Sequence, residues 1–293
     1  MMFFDKYNDK KDGAIRGFDM HSTGVRIGAV IIMIVCLGAV IVAIFPAVWV
    51  FLASFKTLKE FNNNVTLFPE HFDASLIKET WNAFKFTKYY RNSLIVVTGS
   101  AIAAVIFNGL LAYGLAILRP KGYKVASGLV MWSLLIPSVT SIVSLFRNIN
   151  VIGLGGSFVP LWLAFGANAF YVVLFREFFE GIPKELMEAA KLDGAGVLQV
   201  FFRIMMPLSK SIIMVVAIFS ITAAWSDFLL PYLTLQGTGK ETVMVKLFTF
   251  KDTPTDAVSV LRAVLFSIIP PTVLFTIFQK QITDGAAAGA VKG

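Results

Sequence analysis

The chain has 293 residues, of which 57% are hydrophobic and only 15% are charged, and its mean hydropathy is +0.75. Water-soluble domains carry about a quarter charged residues, so this composition excludes a compact soluble domain and is typical of a membrane protein. The formal net charge of +8 does not indicate nucleic-acid binding. The basic residues lie mostly beside apolar runs rather than in a patch with interleaved aromatic residues on a soluble fold.

Residues 1–26 are polar and mixed in charge, and they are predicted to form an N-terminal tail in the cytoplasm. The apolar run that follows is too long for the core of a cleaved signal peptide. Cys36 lies inside that run and is the single cysteine of the sequence, which excludes an internal disulfide and a cysteine metal cluster. His21 and His71 lie far apart in polar segments, so neither is expected to bind a metal.

Six uncharged segments are each able to supply the roughly 20 residues that a helix needs to cross about 30 Å of hydrocarbon. Backbone N–H groups in lipid must be hydrogen-bonded within their own segment, so these segments are predicted to be helices. The sequence therefore predicts an all-α polytopic membrane protein. Its six transmembrane helices are expected at 27–55, 92–118, 125–147, 160–180, 209–231 and 261–281.

The charges of the short connections predict the orientation of these helices. Loop 119–124 contains three basic residues and no acid, which favours the cytoplasm, whereas 148–159 is uncharged and fits the outside. The 181–208 segment carries Lys184, Lys191 and Arg203 and is again expected inside. Six helices with both termini in the cytoplasm satisfy all three connections. The two long connections, 56–91 and 232–260, are then external, and each is either a docking site for an external partner or a solvated tether.

The 181–208 segment is predicted to form two short amphipathic helices joined at a sharp corner. Pro183 suits the first turn of a helix, and Lys184, Glu188 and Lys191 then share one face. The other face is expected to hold Leu186, Met187 and Ala190. Asp193-Gly194 should end this helix, because glycine readily adopts the left-handed conformation of a C-terminal cap.

A second short helix is predicted from apolar residues at helical spacing, namely Val197, Val200, Phe201 and Ile204. Pro207 is expected to end it. On physical grounds alone, the pair of helices fits an interfacial position in the headgroups as well as it fits a docking surface.

The residues of this segment resemble the signature loop of the membrane subunits of ATP-binding-cassette importers. The matching pattern is EAAxxDGA followed by FxxIxxPL. It is carried by Glu188, Ala189, Ala190, Asp193, Gly194, Ala195, Phe202 (or its neighbour Phe201), Ile204, Pro207 and Leu208. One departure is Ser211, where relatives often have proline.

Three further stretches are similar to carbohydrate importer permeases of this class. They are Ser54–Thr57, Tyr90–Leu94 and Trp225–Pro231. The tail Asp284–Gly293 resembles the C-terminus of the second of the two permease subunits, the type represented by the smaller maltose-importer permease. The resemblance covers most of residues 54–293.

The resemblance implies a type I importer permease fold in a bacterial or archaeal cell membrane. It divides the chain into a tail at 1–26, a first transmembrane helix with its external loop at 27–91, a permease core at 92–281 that contains the coupling loop at 181–208, and a cytoplasmic tail at 282–293. The expected partners are a second permease, two ATPase subunits, a solute-binding protein, membrane lipid and a sugar. No GxxxxGK[ST] motif occurs, so the chain is expected to hold no cofactor and to be no enzyme, while the partner ATPase binds ATP and Mg²⁺.

Polar and aromatic residues inside the predicted helices are candidates for the pore lining, because such groups usually face protein or water. They are Asn108, Ser144, Asn168, Trp225 and Asp227. For Asn and Ser the alternative is a hydrogen bond between helices, and for the tryptophan it is packing. Gly237, Thr238 and Gly239 are read as a plain turn rather than a phosphate loop, and this turn is a candidate contact with the binding protein.

Two other functions remain open at this point. One is an ATP-driven importer for a solute other than sugar. The other is an ion-coupled carrier that works alone, although such carriers generally need ionisable residues at mid-membrane, and these helices have almost none.

Overall fold

The computed structural model describes residues 23–63, 66–250 and 255–290, and it contains helices and no strand in those ranges. The chain divides into two compact units, residues 1–72 and 73–293, which are described separately. Residues 1–22 of the predicted N-terminal tail and residues 291–293 of the predicted C-terminal tail lie outside the described part.

The first unit contains a long apolar helix, α1 (Thr23–Ala53), and a short helix, α2 (Leu58–Asn63). The side chains of α1 are exposed along almost its whole length. At its end, the buried Lys56 ammonium donates a hydrogen bond to the Thr66 hydroxyl over 2.9 Å. The Glu60 carboxylate accepts the Glu70 N–H over 2.8 Å. These two bonds fold the connection after α1 back on itself.

The second unit is a bundle of helices with short connections. The helices that run through its interior or along its length are α4 (Phe86–Tyr113), α5 (Tyr123–Ser133), α6 (Ile142–Val151), α7 (Val159–Gly166), α8 (Ala169–Glu180), α12 (Lys210–Ser226) and α15 (Ala257–Ala290). Shorter helices join them: α3 (Ala74–Ala83), α9 (Lys184–Leu192), α10 (Val197–Val200), α11 (Met206–Leu208), α13 (Leu229–Leu235) and α14 (Val243–Thr249).

Three helices of the described residues are long and apolar enough to cross a membrane, and two bent pairs bring the number to five. The three are α1, α4 with its π-helical extension Gly114–Leu118, and α15. The pairs are α7 with α8, bent by 44°, and the 197–208 helices with α12, bent by 84°.

The continuous helix predicted at 125–147 is wrong, because the structure breaks it between Ser133 and Ile142. Pro137 explains the break: it has no N–H to donate, and its ring disfavours helical geometry at the residue before it. The Ser133 hydroxyl instead donates to the carbonyl of Val130 over 2.7 Å, within the last turn of α5.

The two long connections expected at 56–91 and 232–260 contain helices. Residues 56–91 form α2, α3 and the first turn and a half of α4, and 232–260 form most of α13, all of α14 and the start of α15.

The Asp73 carboxylate caps α3 by accepting the Ser75 N–H over 2.8 Å. Hydrogen bonds from the Ser75 side chain and backbone lower the pKa of Asp73. Helix α3 is short, so this cap helps to decide where it begins.

Helix α4 lies at the centre of the second unit and packs against α7, α8 and α12. Its approach to α7 depends on Gly99, because a Cβ at that position would lie 2.2 Å from Nε1 of Trp162. The same indole N–H donates to the carbonyl of Ile95 over 3.3 Å. The missing side chain at Gly99 therefore leaves the space that the Trp162 indole occupies against α4.

A second cluster of buried aromatic rings joins α3, α4 and α15. The Trp81 ring centroid lies 4.8 Å from that of Tyr90 and 5.0 Å from that of Phe266. The Tyr90 hydroxyl donates to the carbonyl of Phe266, and the buried Arg262 donates to the Thr80 hydroxyl over 3.2 Å. These contacts fix α3 to the bundle.

Replacing Gly99 by alanine is expected to destabilise the protein by about 1–3 kcal/mol, because the new methyl group would overlap the Trp162 ring. Gly128→Ala is the matched control, since no atom lies within 4 Å of a Cβ at that helical position. Thermal unfolding of the two variants in the same detergent measures the difference. Equal midpoints for Gly99→Ala and the wild type would contradict the packing described here.

Candidate functional site

The first half of the 181–208 segment is α9, and a glycine ends it. Gly194 has φ +74°, and the Ala195 N–H donates to the carbonyl of Ala190 over 3.0 Å. This six-to-one hydrogen bond around a left-handed glycine is the Schellman arrangement that closes many helices. The predicted corner at Asp193-Gly194 is therefore present, with the residue types that its geometry requires.

The second half begins with α10 and continues without interruption through a π-helical turn, Phe201–Met205, into α11. The helix ends at Leu208, one residue after Pro207, so the predicted end before the next helix is confirmed to within one residue. Pro207 has no N–H to donate to the preceding turn, which is consistent with a helix that ends directly after it. The Ser209 hydroxyl donates to the carbonyl of Met205 over 2.6 Å at the break before α12.

One face of the segment is buried in the core of the second unit. Its buried side chains are Met187, Ala190, Val200, Phe201 and Met205, and they pack in one cluster with residues of α4, α8 and α12. The Phe201 ring centroid lies 5.4 Å from that of Tyr113, and the Tyr113 hydroxyl donates to the carbonyl of Val197 over 3.4 Å. The segment is thus part of the folded bundle rather than a detached interfacial helix pair.

The predicted apolar face was partly misplaced. Leu186 and Val197 were expected on it, but both are exposed, whereas Met205 was not singled out and is fully buried. Met205 lies four residues after Phe201 and shares its buried face, as helical spacing expects, whereas Val197 lies at the start of α10, before the π-helical turn.

The opposite face of the segment is exposed and mixes acidic with apolar side chains. Glu188, Ala189, Asp193 and Gly194 of the signature are all exposed. Beside them, Leu192 is 89% exposed and Leu198 is 61% exposed, and Phe202 is also exposed. Large apolar side chains that are grouped at a surface and rimmed by charge are typical of protein interaction sites.

A shallow cleft of about 300 Å³ opens at the corner of the segment. It is lined by Ala190, Asp193, Gly194, Ala195, Gln199, Arg203 and Ile204. Five of these seven residues belong to the predicted signature. The structure therefore brings the two halves of the sequence motif to one concave surface, with an acidic and a basic side chain at its edge.

Of the candidates for the pore lining, Asn108 and Asn168 are in direct contact. Asn108 is fully buried, and its amide donates to the carbonyl of Phe165 over 2.9 Å. Its Oδ1 accepts the Asn168 N–H over 2.9 Å, and Asn168 in turn caps α8 by accepting the Tyr171 N–H. These hydrogen bonds stabilise the break between α7 and α8, which is the interhelical role that the sequence left open.

The other three candidates have different surroundings. Trp225 is buried and its indole N–H donates to the carbonyl of Ser267 over 2.9 Å, so packing accounts for it. Ser144 is exposed. Asp227 is half-buried and accepts the Leu229 N–H over 3.1 Å at the start of α13.

The Gly237–Gly239 turn has the strained geometry that explains its glycines, with φ +75° and +78° at the two positions. It is held from two sides. The Lys240 ammonium donates to the carbonyl of Gly156 over 2.7 Å, and the Asn92 amide donates to the carbonyl of Glu241 over 2.9 Å. The role of Asn92 was missed from the sequence, because a single polar residue at the start of an apolar run carries no signal of its distant partner.

No group of three or more His, Cys, Asp or Glu side chains that could hold a metal ion occurs within 23–63, 66–250 and 255–290.

Residues 104–285 match the family described as "Binding-protein-dependent transport system inner membrane component". The chain belongs to this family. The match covers more than half of the chain and includes the whole of the 181–208 segment, so the sequence-based identification as an importer permease is confirmed.

Curated relatives agree with the family match. The chain is 32% identical to the melibiose/raffinose/stachyose import permease protein MelC of Bacillus subtilis (strain 168), over 78% of this chain and 84% of that protein. It is 30% identical to the inner membrane ABC transporter permease protein YcjP of Escherichia coli (strain K12), over 86% and 92%. It is 27% identical to the diacetylchitobiose uptake system permease protein NgcG of Streptomyces coelicolor, over 86% and 85%.

The fold is also similar to that of a solved structure. A crystal structure of a bacterial ABC transporter involved in the import of the acidic polysaccharide alginate matches with a TM-score of 0.80 at 21% identity, over 88% of this chain and 98% of the other. The all-helical fold expected from the sequence is therefore confirmed.

Replacing Gly194 by alanine is expected to loosen the corner, because an L-residue at φ +74° costs roughly 1 kcal/mol. Gly196→Ala is the matched control: a Cβ has open space at both positions, and only Gly194 has a positive φ. Hydrogen exchange of the Ala195 amide should become faster in Gly194→Ala alone. Equal rates in the two variants would show that the left-handed glycine does not hold the corner.

Proposed function

We propose that this protein is one of two permease subunits of an ATP-driven importer for a sugar or oligosaccharide. It contributes half of the translocation pathway and no ATPase activity of its own. ATP is hydrolysed by two separate subunits, and the sugar is delivered by a solute-binding protein outside the membrane. The sugar substrates in the names of the relatives support the substrate class.

The observation that carries this proposal is the exposed face of the 181–208 segment. The buried side chains of the segment pack with Tyr113 and around Phe201 in the bundle core. Glu188 and Leu192 are exposed on the opposite face. A surface of this kind fits a cleft on an ATPase subunit, with leucine entering an apolar pocket and the carboxylate facing a basic or polar group. Motion of the ATPase is then passed to the helices as a rigid-body displacement.

The proposal includes the topology expected from the loop charges. Six transmembrane segments place both termini and the 181–208 segment in the cytoplasm. Five of them are α1, α4, α7 with α8, α12 and α15, and residues 197–208, bent by 84° from α12, stay on the cytoplasmic side. The sixth is made of α5 and α6 with the Pro137 break between them. Backbone breaks inside a membrane are tolerated where neighbouring protein or water satisfies the freed groups. The described core at 92–281 and the first helix at 27–55 keep the roles that the sequence suggested.

The external side is proposed to receive the binding protein at Gly237, Thr238 and Gly239. Of the pore-lining candidates, Ser144, Asn168 and Asp227 retain surface that a solute could reach. Asn108 and Trp225 are assigned instead to positions that support the bundle, because each is buried with its side-chain donor bonded to a neighbouring helix.

Leu192→Ser and Glu188→Lys are expected to abolish co-purification of the ATPase and to reduce sugar uptake by at least about tenfold, the effect of losing roughly 1.4 kcal/mol of binding free energy. Because both side chains are exposed, neither change should alter the thermal stability of the membrane subunits. Lys121→Ser, at an exposed site in the 119–124 loop, serves as the control. Unchanged ATPase association in both variants would refute the docking role of the segment.

A further inference from the structure

Among the described residues of the second unit, helix α4 is one of two membrane-length elements that are single, unbent helices, and unlike the other, α15, it contains no proline. It runs from Phe86 to Tyr113 without proline. The two helix pairs that could span a membrane are bent by 44° and 84°, and α15 contains Pro270 and Pro271. At 1.5 Å per residue, the distance from Asn92 to Tyr113 is about 32 Å, close to the thickness of the hydrocarbon core.

One end of α4 holds the segment that follows the Gly237–Gly239 turn. The Asn92 amide donates to the carbonyls of Glu241 and Gly239 over 2.9 and 3.4 Å. The neighbouring Ser93 hydroxyl accepts the Val243 N–H over 3.0 Å. Asn92 and Ser93 are only 3% and 4% exposed, so these hydrogen bonds are shielded from water and fix the backbone at 239–243 to the helix.

The other end of α4 holds the 181–208 segment. The Tyr113 hydroxyl donates to the carbonyl of Val197, and its ring packs against the fully buried Phe201. One turn earlier, a Cβ at Gly109 would lie 3.5 Å from the Phe201 ring, which is ordinary contact distance. The last turns of α4 thus support the base of the exposed surface.

We propose that α4 is a strut that makes the 236–243 loop and the 181–208 segment move together, with Asn92, Ser93 and Tyr113 as its positioning residues. This inference rests on the function proposed above, in which the loop meets the binding protein and the segment meets the ATPase. The strut carries a displacement in both directions, because a coupling free energy between two sites is reciprocal.

The alternative is that both sets of contacts only stabilise the fold. The two readings differ in what a change at one end does to the other end. A stabilising contact at Tyr113 affects the backbone near Tyr113. A strut makes Tyr113 necessary for the response of Val243, whose N–H is bonded to Ser93 at the opposite end of the helix.

The test uses the assembled transporter in lipid nanodiscs, with a non-hydrolysable ATP analogue and Mg²⁺ as the probe and no binding protein present. Hydrogen exchange is followed at two places, the amides of the 181–208 segment and the Val243 amide. In the wild type, the analogue should change the exchange rate at both places, by at least about fivefold at Val243, which is the lower end of typical coupling.

Tyr113→Phe removes one hydroxyl, and it should abolish the change at Val243 while the analogue still alters the 181–208 segment. Tyr123→Phe is the matched control, since Tyr123 lies near the same end of the bundle and its Arg119 contact involves only the ring. Asn92→Ala tests the opposite end and should have the same effect as Tyr113→Phe. Ser93→Ala should do so as well, and Ser93→Thr, which keeps the acceptor oxygen, should restore the response.

Two outcomes would overturn the strut. The first is a wild-type transporter in which the 181–208 amides respond to the analogue and Val243 does not. The second is a Val243 response that persists in both Tyr113→Phe and Asn92→Ala. A wild-type transporter in which the analogue binds and the 181–208 segment does not respond would instead refute the proposed function, so the two failures are distinguishable.

Discussion

The burial of Phe201 against the end of α4 is the contact on which the functional surface depends. Phe201 is fully enclosed, and its neighbours include Tyr113 and the other buried residues of the segment. Burying a side chain of this size stabilises its position by roughly 1.5–3 kcal/mol. Because the base is held in the core, the exposed residues around Gly194 keep a fixed geometry relative to the helices, which a docking surface needs in order to transmit force.

The breaks in the bundle are concentrated in the helices around α4. The Asn108 side chain makes three hydrogen bonds to backbone groups, one of them within its own helix. The other two stabilise the break between α7 and α8. Gly99 lets α7 approach closely enough for Trp162 to pack on α4. Both residues lie on α4, so this helix provides the contacts that let its neighbours bend. This arrangement combines a rigid axis with elements that have room to change conformation.

Much of this organisation could be predicted from the sequence, because the governing signals are local. Apolar runs gave the approximate positions of the helices, and Asp193-Gly194 gave the corner of the 181–208 segment, since a left-handed cap requires glycine. The breaks at Pro137 and at Asn168 were missed within runs that are apolar enough to read as continuous. Hydropathy reports the environment of a segment, and it does not report where a backbone bends.

The parts that could not be predicted depend on contacts between residues far apart in the sequence. Asn92 meets Glu241, and Asn108 meets the Phe165 carbonyl, only after the bundle has formed. Those partners decide whether an asparagine within an apolar helix lines a pore or supports a break between helices. Likewise, Val197, at the start of α10, is exposed although it fits the apolar periodicity, because no described helix covers its side chain.

The central claim is that the exposed face of the 181–208 segment contacts an ATPase subunit, and photo-crosslinking from position 192 tests it most directly. A photo-reactive amino acid replaces Leu192, which is 89% exposed, and membranes containing the whole transporter are irradiated. We predict a covalent adduct between this chain and an ATP-binding subunit, which mass spectrometry identifies and which is lost when Glu188→Lys is introduced in the same chain. Adducts with lipid alone, in membranes where the ATPase is present and active, would contradict the account.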